Sequence, residues 1–518
     1  MTSTRASRRN FVVKVVIAVG LCAMPFGVNA AAATNVPSTS GSWAYANADL
    51  ANTRDAVGST ISATNVSTLK KAWSFHLTGK AKGNVGGYGT LAATPIVVNG
   101  VVFIQDLHSN VYALSLATGT LAWSYLVDKK EKSGPGPNGV AVVDGTVYGA
   151  TPTTVFALNA VTGRKVWSND KLLKKGQGTF GIQPQVANGR VYLASQYGHV
   201  PGGGVLLALN AATGALLWTF KTVPKNDQGV KKLGLGAGGA WETPLVSADG
   251  SVTFGIGNPY QSLASALVEP GKLLYTDSDV NLNADTGKLR WYYQGVTNDF
   301  KDYDMQASPI SARAHGVPVV VGGGKMGIVY EMNAATGKLI WKTAVGKHNG
   351  HDNDSLNALE GKSTLAVPFT FIPGGLGGIL TNMALAGNTV YVVTCNLAFS
   401  FTKTEEVDGL PLGKKLSGDV EALNLVTGKV EWETKVNGLP LGAATVANNL
   451  VFTTLLQGEL LALNRSTGAI VFTQQLPRST NSPIAIAGDT LIVPAGGPKY
   501  GKGNGPSQVV AYRLPSSP

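Results

Sequence analysis

Few stretches of this 518-residue sequence group side chains that do chemistry, and those few must be judged on spacing. His348-Asn349-Gly350-His351-Asp352-Asn353-Asp354 places two imidazoles and two carboxylates within seven residues, types that bind metal ions. The spacing fits neither a helical His pair nor a calcium-binding loop, so it reads as a hydrated loop. Gly361-Lys362-Ser363 ends like a phosphate-binding loop, but Leu356 stands where its first glycine is required, and no nucleotide site follows. No Gly-x-Ser-x-Gly elbow occurs, and six histidines in the whole chain argue against hydrolytic triads. Cys22 and Cys395 are the two cysteines; neither lies in a C-x-x-C-H haem attachment, so any electron the protein handles must leave through another molecule.

The N-terminus reads as an export signal, residues 1–30. Arg5, Arg8 and Arg9 precede an apolar run from Phe11 to Val28 that ends in the small-residue pattern Val28-Asn29-Ala30. Ser7-Arg8-Arg9-Asn10-Phe11-Val12 looks like a twin-arginine motif, a general secretory signal being the alternative. The run is broken by Lys14 and is short for a membrane span of about 20 residues. Cleavage after Ala30 would leave Cys395 alone and hence no intramolecular disulfide in an oxidising compartment. It also removes four cations and no acids, taking the net charge from +12 to +8. The remaining positives are scattered, which argues against nucleic acid binding. Localisation is thus expected to be periplasmic or extracellular.

What could position a site is a repeat that fills most of residues 31–518. An apolar strand ending in Ala-Leu-Asn or similar is followed by two spacer residues, Thr-Gly, and a strand that closes on tryptophan. The copies run through Gly119/Trp123, Gly163/Trp167, Gly214/Trp218, Gly287/Trp291, Gly337/Trp341, Gly428/Trp432 and Gly468/Phe472. Glycine supplies the positive φ that a hairpin turn needs, and the residues two and four after it are expected to share an inward face, as in Leu216/Trp218 or Val430/Trp432. Successive glycines are 44, 51, 73, 50, 91 and 40 residues apart, and the shorter gaps match the ~40–50 residues of a four-stranded propeller blade. The long gaps carry insertions. Turn signals such as Val98-Asn99-Gly100, Val143-Asp144-Gly145 and Ala187-Asn188-Gly189 supply a second hairpin per blade. An eighth unit is split between Lys70–Phe75 and Val509–Leu514, so the expected fold is all-β, an eight-bladed β-propeller closed by pairing of the N- and C-terminal strands in a single domain over 31–518.

These repeats resemble the pyrroloquinoline quinone (PQQ) propeller family. Trp43, Asp49-Leu50-Ala51-Asn52-Thr53-Arg54, Leu274-Tyr275-Thr276-Asp277-Ser278 and Asp302-Tyr303-Asp304 look like its quinoprotein alcohol dehydrogenase branch. The resemblance implies a quinone in a central funnel on a tryptophan floor, beside a calcium ion and a general base. Trp241 matches the floor, with ordinary blade packing as its alternative; Asn258 in Gly257-Asn258-Pro259 matches a calcium ligand, with a plain turn as its alternative. Lys325 matches a basic residue beside the quinone, with a solvated loop lysine as its alternative.

Three departures count against the match. Lys272 follows Pro270-Gly271 where an aspartate base is expected; no Asp or Glu occurs between Asp170 and Asp227, near Gln196, where a calcium-binding glutamate is expected; and the paired cysteines of some members are missing. A lysine ammonium ~4 Å from a dication would cost roughly 8 kcal/mol at an effective dielectric near 20, which casts doubt on calcium. Asp277 is the substitute base. The reading is an exported PQQ-dependent alcohol dehydrogenase acting on a small or polymeric alcohol with an external electron acceptor. A non-catalytic scaffold for protein partners in the cell envelope, similar to the propeller subunit of outer-membrane assembly machinery, is the alternative.

Overall fold

The structure is a computed structural model describing residues 41–77, 89–127, 136–196, 203–224, 238–412, 416–498 and 505–515. The export signal, its twin-arginine motif and Cys22 lie outside the described residues, as do Tyr197 and Gly198. No helix among the described residues is long and apolar enough to cross a membrane.

Eight antiparallel sheets, each with four main strands, account for the repeats, the third extended by the short strand Thr179–Phe180. In the first seven, chain order is spatial order, as sequence-local hairpins require. The eighth joins the two ends of the chain: Lys70–His76 pairs with Gln508–Arg513, with Lys71 opposite Tyr512 and Trp73 opposite Ala511. The innermost strands of the first and eighth sheets, Ile96–Val98 and Ala485–Ala487, also touch. The long gaps hold the helices Leu263–Val268 and Asp354–Leu359 and a separate three-stranded sheet of Phe369–Phe371, Ala398–Phe401 and Leu410–Leu412.

The repeated residues each have a mechanical task. The strand-ending asparagine caps the turn: Asn159 Oδ1 accepts from the amides of Val161 (3.1 Å) and Thr162 (2.9 Å), and Asn210, Asn283, Asn333, Asn424 and Asn464 repeat the arrangement. Glycine does two things at once. It adopts φ +68° at Gly163, and its missing side chain lets the tryptophan of the preceding sheet lie on the turn, because a Cβ there would stand 2.6 Å from the Trp123 ring. The indole N–H then donates to the next sheet: Trp123 to Ala160 O at 2.9 Å, Trp218 to Ala284 O at 2.9 Å, Trp291 to Ala334 O at 2.8 Å. Seven tryptophans, from Trp73 to Trp432, dock on the glycine of the following sheet in this way.

The residues two before those tryptophans do not face inward as the alternation implied. Leu216, Val430 and Ile470 are 43–47% exposed. A bulge falls between each of them and the aromatic position, with Ala208 opposite Trp218 but Leu209 opposite Leu216, so the strict two-residue period breaks at that point.

The segment from Trp43 to Thr60 runs along the innermost strands and stitches them together. Val97 exchanges backbone hydrogen bonds with Trp43, Ser311 N donates to Ala51 O, Leu385 N to Thr53 O, and Val446 N to Arg54 O. The Arg54 guanidinium is fully buried and donates to Ala444 O, Ile484 O, Thr445 and Asn47. Burial lowers its pKa to about 9, against the opposing pull of Glu242.

Candidate active site

The loops leaving the third to fifth sheets converge on Gly257 and Asp304. The Asn258 amide donates to Asp304 Oδ1 at 2.7 Å, the Asp277 amide to Gly257 O at 3.1 Å, and the Lys325 amide to Asp304 O at 3.0 Å. Gly257 has no room for a side chain, since a Cβ would lie 2.6 Å from Asp304 Oδ1 and 2.8 Å from the Trp241 ring. Trp241, Asn258 and Lys325, separated in sequence by up to 84 positions, therefore surround one point. The Lys325 ammonium is ion-paired to Asp302 at 2.7 Å and to Asp304 at 2.5 Å. Although burial opposes its charge, Asp302 and Asp304 hold Lys325 protonated well above the ordinary lysine value.

The aspartates are presented by a loop that is itself anchored. The Lys301 ammonium, fully enclosed, donates to Asp354 Oδ2 and His351 O, both at 2.6 Å, and stands 5.2–5.6 Å from the ring centres of Phe300, Tyr303 and Phe371. Asp299 accepts from the amides of Lys301 and Tyr303, and the Tyr303 hydroxyl donates to Pro373 O at 2.7 Å. The segment from His348 to Asp354 thus does structural work: His351 pairs with Asp354 at 2.8 Å and His348 with Asp352 at 2.7 Å. It is more ordered than the hydrated loop expected for it. Gly361, at φ +67°, follows the helix Asp354–Leu359, and Lys362 pairs with exposed Glu360.

Acid outweighs base here. Burial first, then the charges of Asp299, Asp304 and Asp302, holds the Asp277 carboxyl well above the usual carboxylate range. Burial raises Asp299 to about 6 and Asp408 to about 7. Asp302 is also pushed up by burial and by Asp304 and Asp408, while Lys325 pulls the other way. Neither carboxylate oxygen of Asp277 has a well-formed hydrogen bond among the described residues, and the residue is completely enclosed. Asp302, by contrast, keeps 17% of its side chain exposed.

A cavity of about 320 Å³ opens beside this cluster, lined by Trp241, by the polar residues Gln196, Glu242, Gln306, Lys325, Thr381 and Asn481, and by six leucines. Neither Asp277 nor Asp302 lines it; Asp302 adjoins it through its ion pair with Lys325. Glu242 also borders a smaller cavity of about 30 Å³, enough for a water, and Asn382 donates to its Oε2 at 2.9 Å. Burial raises Glu242 to about 7, against Asn382 and Arg54.

These residues can be set against the groups the fold implies. An aromatic face, the Lys325 ammonium and the buried, unpartnered amide nitrogen of Gln196 suit a flat quinone with oxygen acceptors such as PQQ, although Asp302 and Asp304 already offset the ammonium's charge. The Lys272 objection falls away: its side chain is exposed, its carbonyl accepts from Gln294 Nε2 at 2.6 Å, and its charge does not enter the site. For a metal the fit is poorer. Asn258 Oδ1 is buried and unpartnered, but no three His, Cys, Asp or Glu side chains among the described residues are arranged to hold an ion, and neutral Gln196 stands where an acid was expected. No step is derived through a metal.

With that geometry established, comparison with known proteins decides the family. The model of the glucose/ethanol/alcohol dehydrogenase β-propeller domain matches residues 43–141 and 182–347, more than half of the chain. The chain belongs to the PQQ β-propeller family. A second family model, the outer membrane protein assembly factor BamB, matches 415–512. The quinohemoprotein alcohol dehydrogenase of Comamonas testosteroni is 26% identical over 82% of this chain and 68% of its own length. The quinoprotein alcohol dehydrogenase PedH of Pseudomonas putida is 26% identical over 78% of this chain and 77% of its own. Among solved structures, the Comamonas enzyme superposes with a TM-score of 0.77 at 23% identity, covering 94% of this chain and 82% of that one. A europium-containing methanol dehydrogenase gives 0.77 at 18%, covering 92% and 98%. These structural likenesses establish a propeller-type fold. The relatives are alcohol dehydrogenases, so alcohol oxidation is the chemistry of the family.

Proposed function

We propose that this chain is an exported PQQ-dependent alcohol dehydrogenase, built as eight blades in a ring that the terminal strands close. The observation that carries the reading is the buried, acid-rich cluster around Lys325 beside a cavity walled by Trp241. Burying several carboxyls together is costly, most of all for Asp277, which has no well-formed hydrogen bond.

When bound, PQQ supplies an ortho-quinone that accepts the two electrons and two hydrogens removed from an alcohol. Trp241 offers the stacking face, and Lys325, held protonated, donates to an oxygen acceptor in the cavity. Asp302 takes the proton of the alcohol hydroxyl: it is ion-paired at 2.7 Å to Lys325 of the cavity lining, keeps 17% of its side chain exposed, and has its proton affinity raised by burial above the usual carboxylate range. Asp277 is enclosed behind the wall, and burial with the neighbouring aspartates favours its protonated form. Asn258 Oδ1 is the neutral oxygen available to a cation. Burial pushes the Cys395 thiol up and keeps it out of the chemistry, and the electrons are assigned to an external acceptor.

The match of residues 415–512 to an assembly factor favours a scaffold as the second reading. Dye reduction by the purified chain reconstituted with PQQ, with and without calcium, separates the two. Turnover of alcohols that falls by about 10²-fold or more in Asp302→Asn supports the enzyme. A chain that binds PQQ under neither condition is a scaffold.

A further inference from the structure

The charges around the cavity are poorly matched to an anionic ligand. Glu242 and Lys325 are the charged residues of the described lining, and Lys325 is already paired with Asp302 and Asp304. An anion entering the cavity therefore meets an ammonium whose charge is offset and a carboxyl with no cation of its own. Glu242 makes no ion pair among the described residues. Arg54, on the N-terminal segment, is linked to it only through two amides: Arg54 Nη1 donates to Asn47 Oδ1 at 3.0 Å, and Asn382 Nδ2 reaches that same oxygen at 3.2 Å and Glu242 Oε2 at 2.9 Å. The carboxyl is held at the wall by its neighbours in the chain, since Ala240 N donates to Ser195 O and Thr243 Oγ1 to Gln183 O, both at 3.0 Å. Behind it lies the chamber of about 30 Å³, which Thr381 also borders, with its Oγ1 buried and without a hydrogen-bond partner. Glu242 thus stands between the two cavities and directly follows Trp241.

Building on the quinone reading, we propose that the cavity takes up its anionic ligand, a flat aromatic polycarboxylate such as PQQ, together with a proton from solvent, and that Glu242 is the residue that receives it. Protonation removes the negative charge that would otherwise face the ligand's carboxylates across an enclosed, water-poor space, where like charges repel more strongly than in bulk water. Both states of the carboxyl are provided for. Asn382 Nδ2 donates to the ionised form, and the chamber behind has room for a water that accepts from the neutral one. Burial already raises Glu242 to about 7, against Asn382 and Arg54, so a ligand carboxylate has only to raise it further for the proton to stay bound at neutral pH. Asp408, also raised to about 7, and Asp302 lie on the Lys325 side of the cavity, so the uptake is assigned by substitution at Glu242 itself.

Calorimetric titration of the purified chain with PQQ, in a pair of buffers that differ in ionisation enthalpy, counts the protons taken up. At about pH 8 the expected uptake is about 0.5–1 proton per PQQ, falling to almost none near about pH 5.5, and Kd should weaken about ten-fold between about pH 6 and about pH 8. Glu242→Gln should bind without that uptake, its Kd varying by less than about two-fold over the same range, and Glu242→Asp should restore the uptake. A second readout needs no quinone. Trimesate, a benzene tricarboxylate, should raise the midpoint of the infrared carboxyl band that Glu242→Gln removes by at least about one pH unit. A band shifted by trimesate in a chain that binds no PQQ keeps the proton coupling and ends the quinone reading; PQQ bound with proton uptake but no alcohol turnover keeps it and ends the dehydrogenase reading. PQQ bound without proton uptake, uptake undiminished in Glu242→Gln, or a Glu242 band that neither anion shifts overturns the inference.

Discussion

The double duty of the repeat glycine makes a quantitative test within one sheet. Gly163 and Gly145 both turn hairpins of the second sheet, at φ +68° and +72°, but a Cβ on Gly145 meets nothing within 4 Å, whereas one on Gly163 meets the Trp123 ring at 2.6 and 2.7 Å. Alanine at either position bears the left-handed penalty of about 1–2 kcal/mol, with the same gain from a less flexible unfolded chain. Gly163→Ala must in addition displace the indole, at an overpacking cost of about 1–3 kcal/mol, and break its 2.9 Å hydrogen bond to Ala160 O, worth about 1 kcal/mol. Urea unfolding should therefore show Gly163→Ala less stable than Gly145→Ala by about 2–4 kcal/mol. In a Trp123→Ala background, where the ring is gone, the excess should vanish. Equal losses for the two glycine variants, or an excess that survives removal of Trp123, would refute docking as the reason glycine recurs.

Three further outcomes follow from the site. Glu242 has a pKa raised to about 7, so its protonated form is favoured by folding, and stability is present at pH 5 and lost as pH rises through 7; Glu242→Gln should flatten that fall in melting temperature, by at most about 3 kcal/mol, because its carboxyl borders a cavity. Asp408 helps to raise Asp302, so Asp408→Asn should shift the acid limb of the pH–rate profile, where the base becomes protonated, to lower pH; an unmoved limb would detach Asp302 from catalysis. Lys301→Met leaves Asp354 buried without its cation and should cost about 3–5 kcal/mol by denaturation, whereas Lys301→Met combined with Asp354→Leu should recover most of the loss.

The repeats are legible in the sequence because the asparagine cap, the glycine turn and the indole keep a constant spacing within each repeat, even though the interface they build joins residues 33 to 84 positions apart, from Trp432 to Arg465 and from Trp341 to Leu425. The outward turn of Leu216, Val430 and Ile470 is not legible, because a bulge leaves no mark in a pattern of apolar residues. In the site, Trp241, Asn258 and Lys325 stand out through their flanking glycines. The acid cluster is spread from Asp277 to Asp408 and assembled only by the convergence of loops, so its excess of charge becomes visible in three dimensions; Asp302-Tyr303-Asp304 is conspicuous as a motif but carries no sign that both acids pair with Lys325. Lys272 misled by position, since its neighbours in sequence lie near the site while its own side chain faces solvent.

The central claim is that the cavity against Trp241 holds a quinone. Titrating the purified chain with PQQ while following tryptophan fluorescence addresses it directly. Saturable quenching with a Kd of about 1 µM or tighter, weakened at least about ten-fold in Trp241→Ala, is the expected result. No saturable quenching up to about 50 µM PQQ, with or without calcium, would contradict the account.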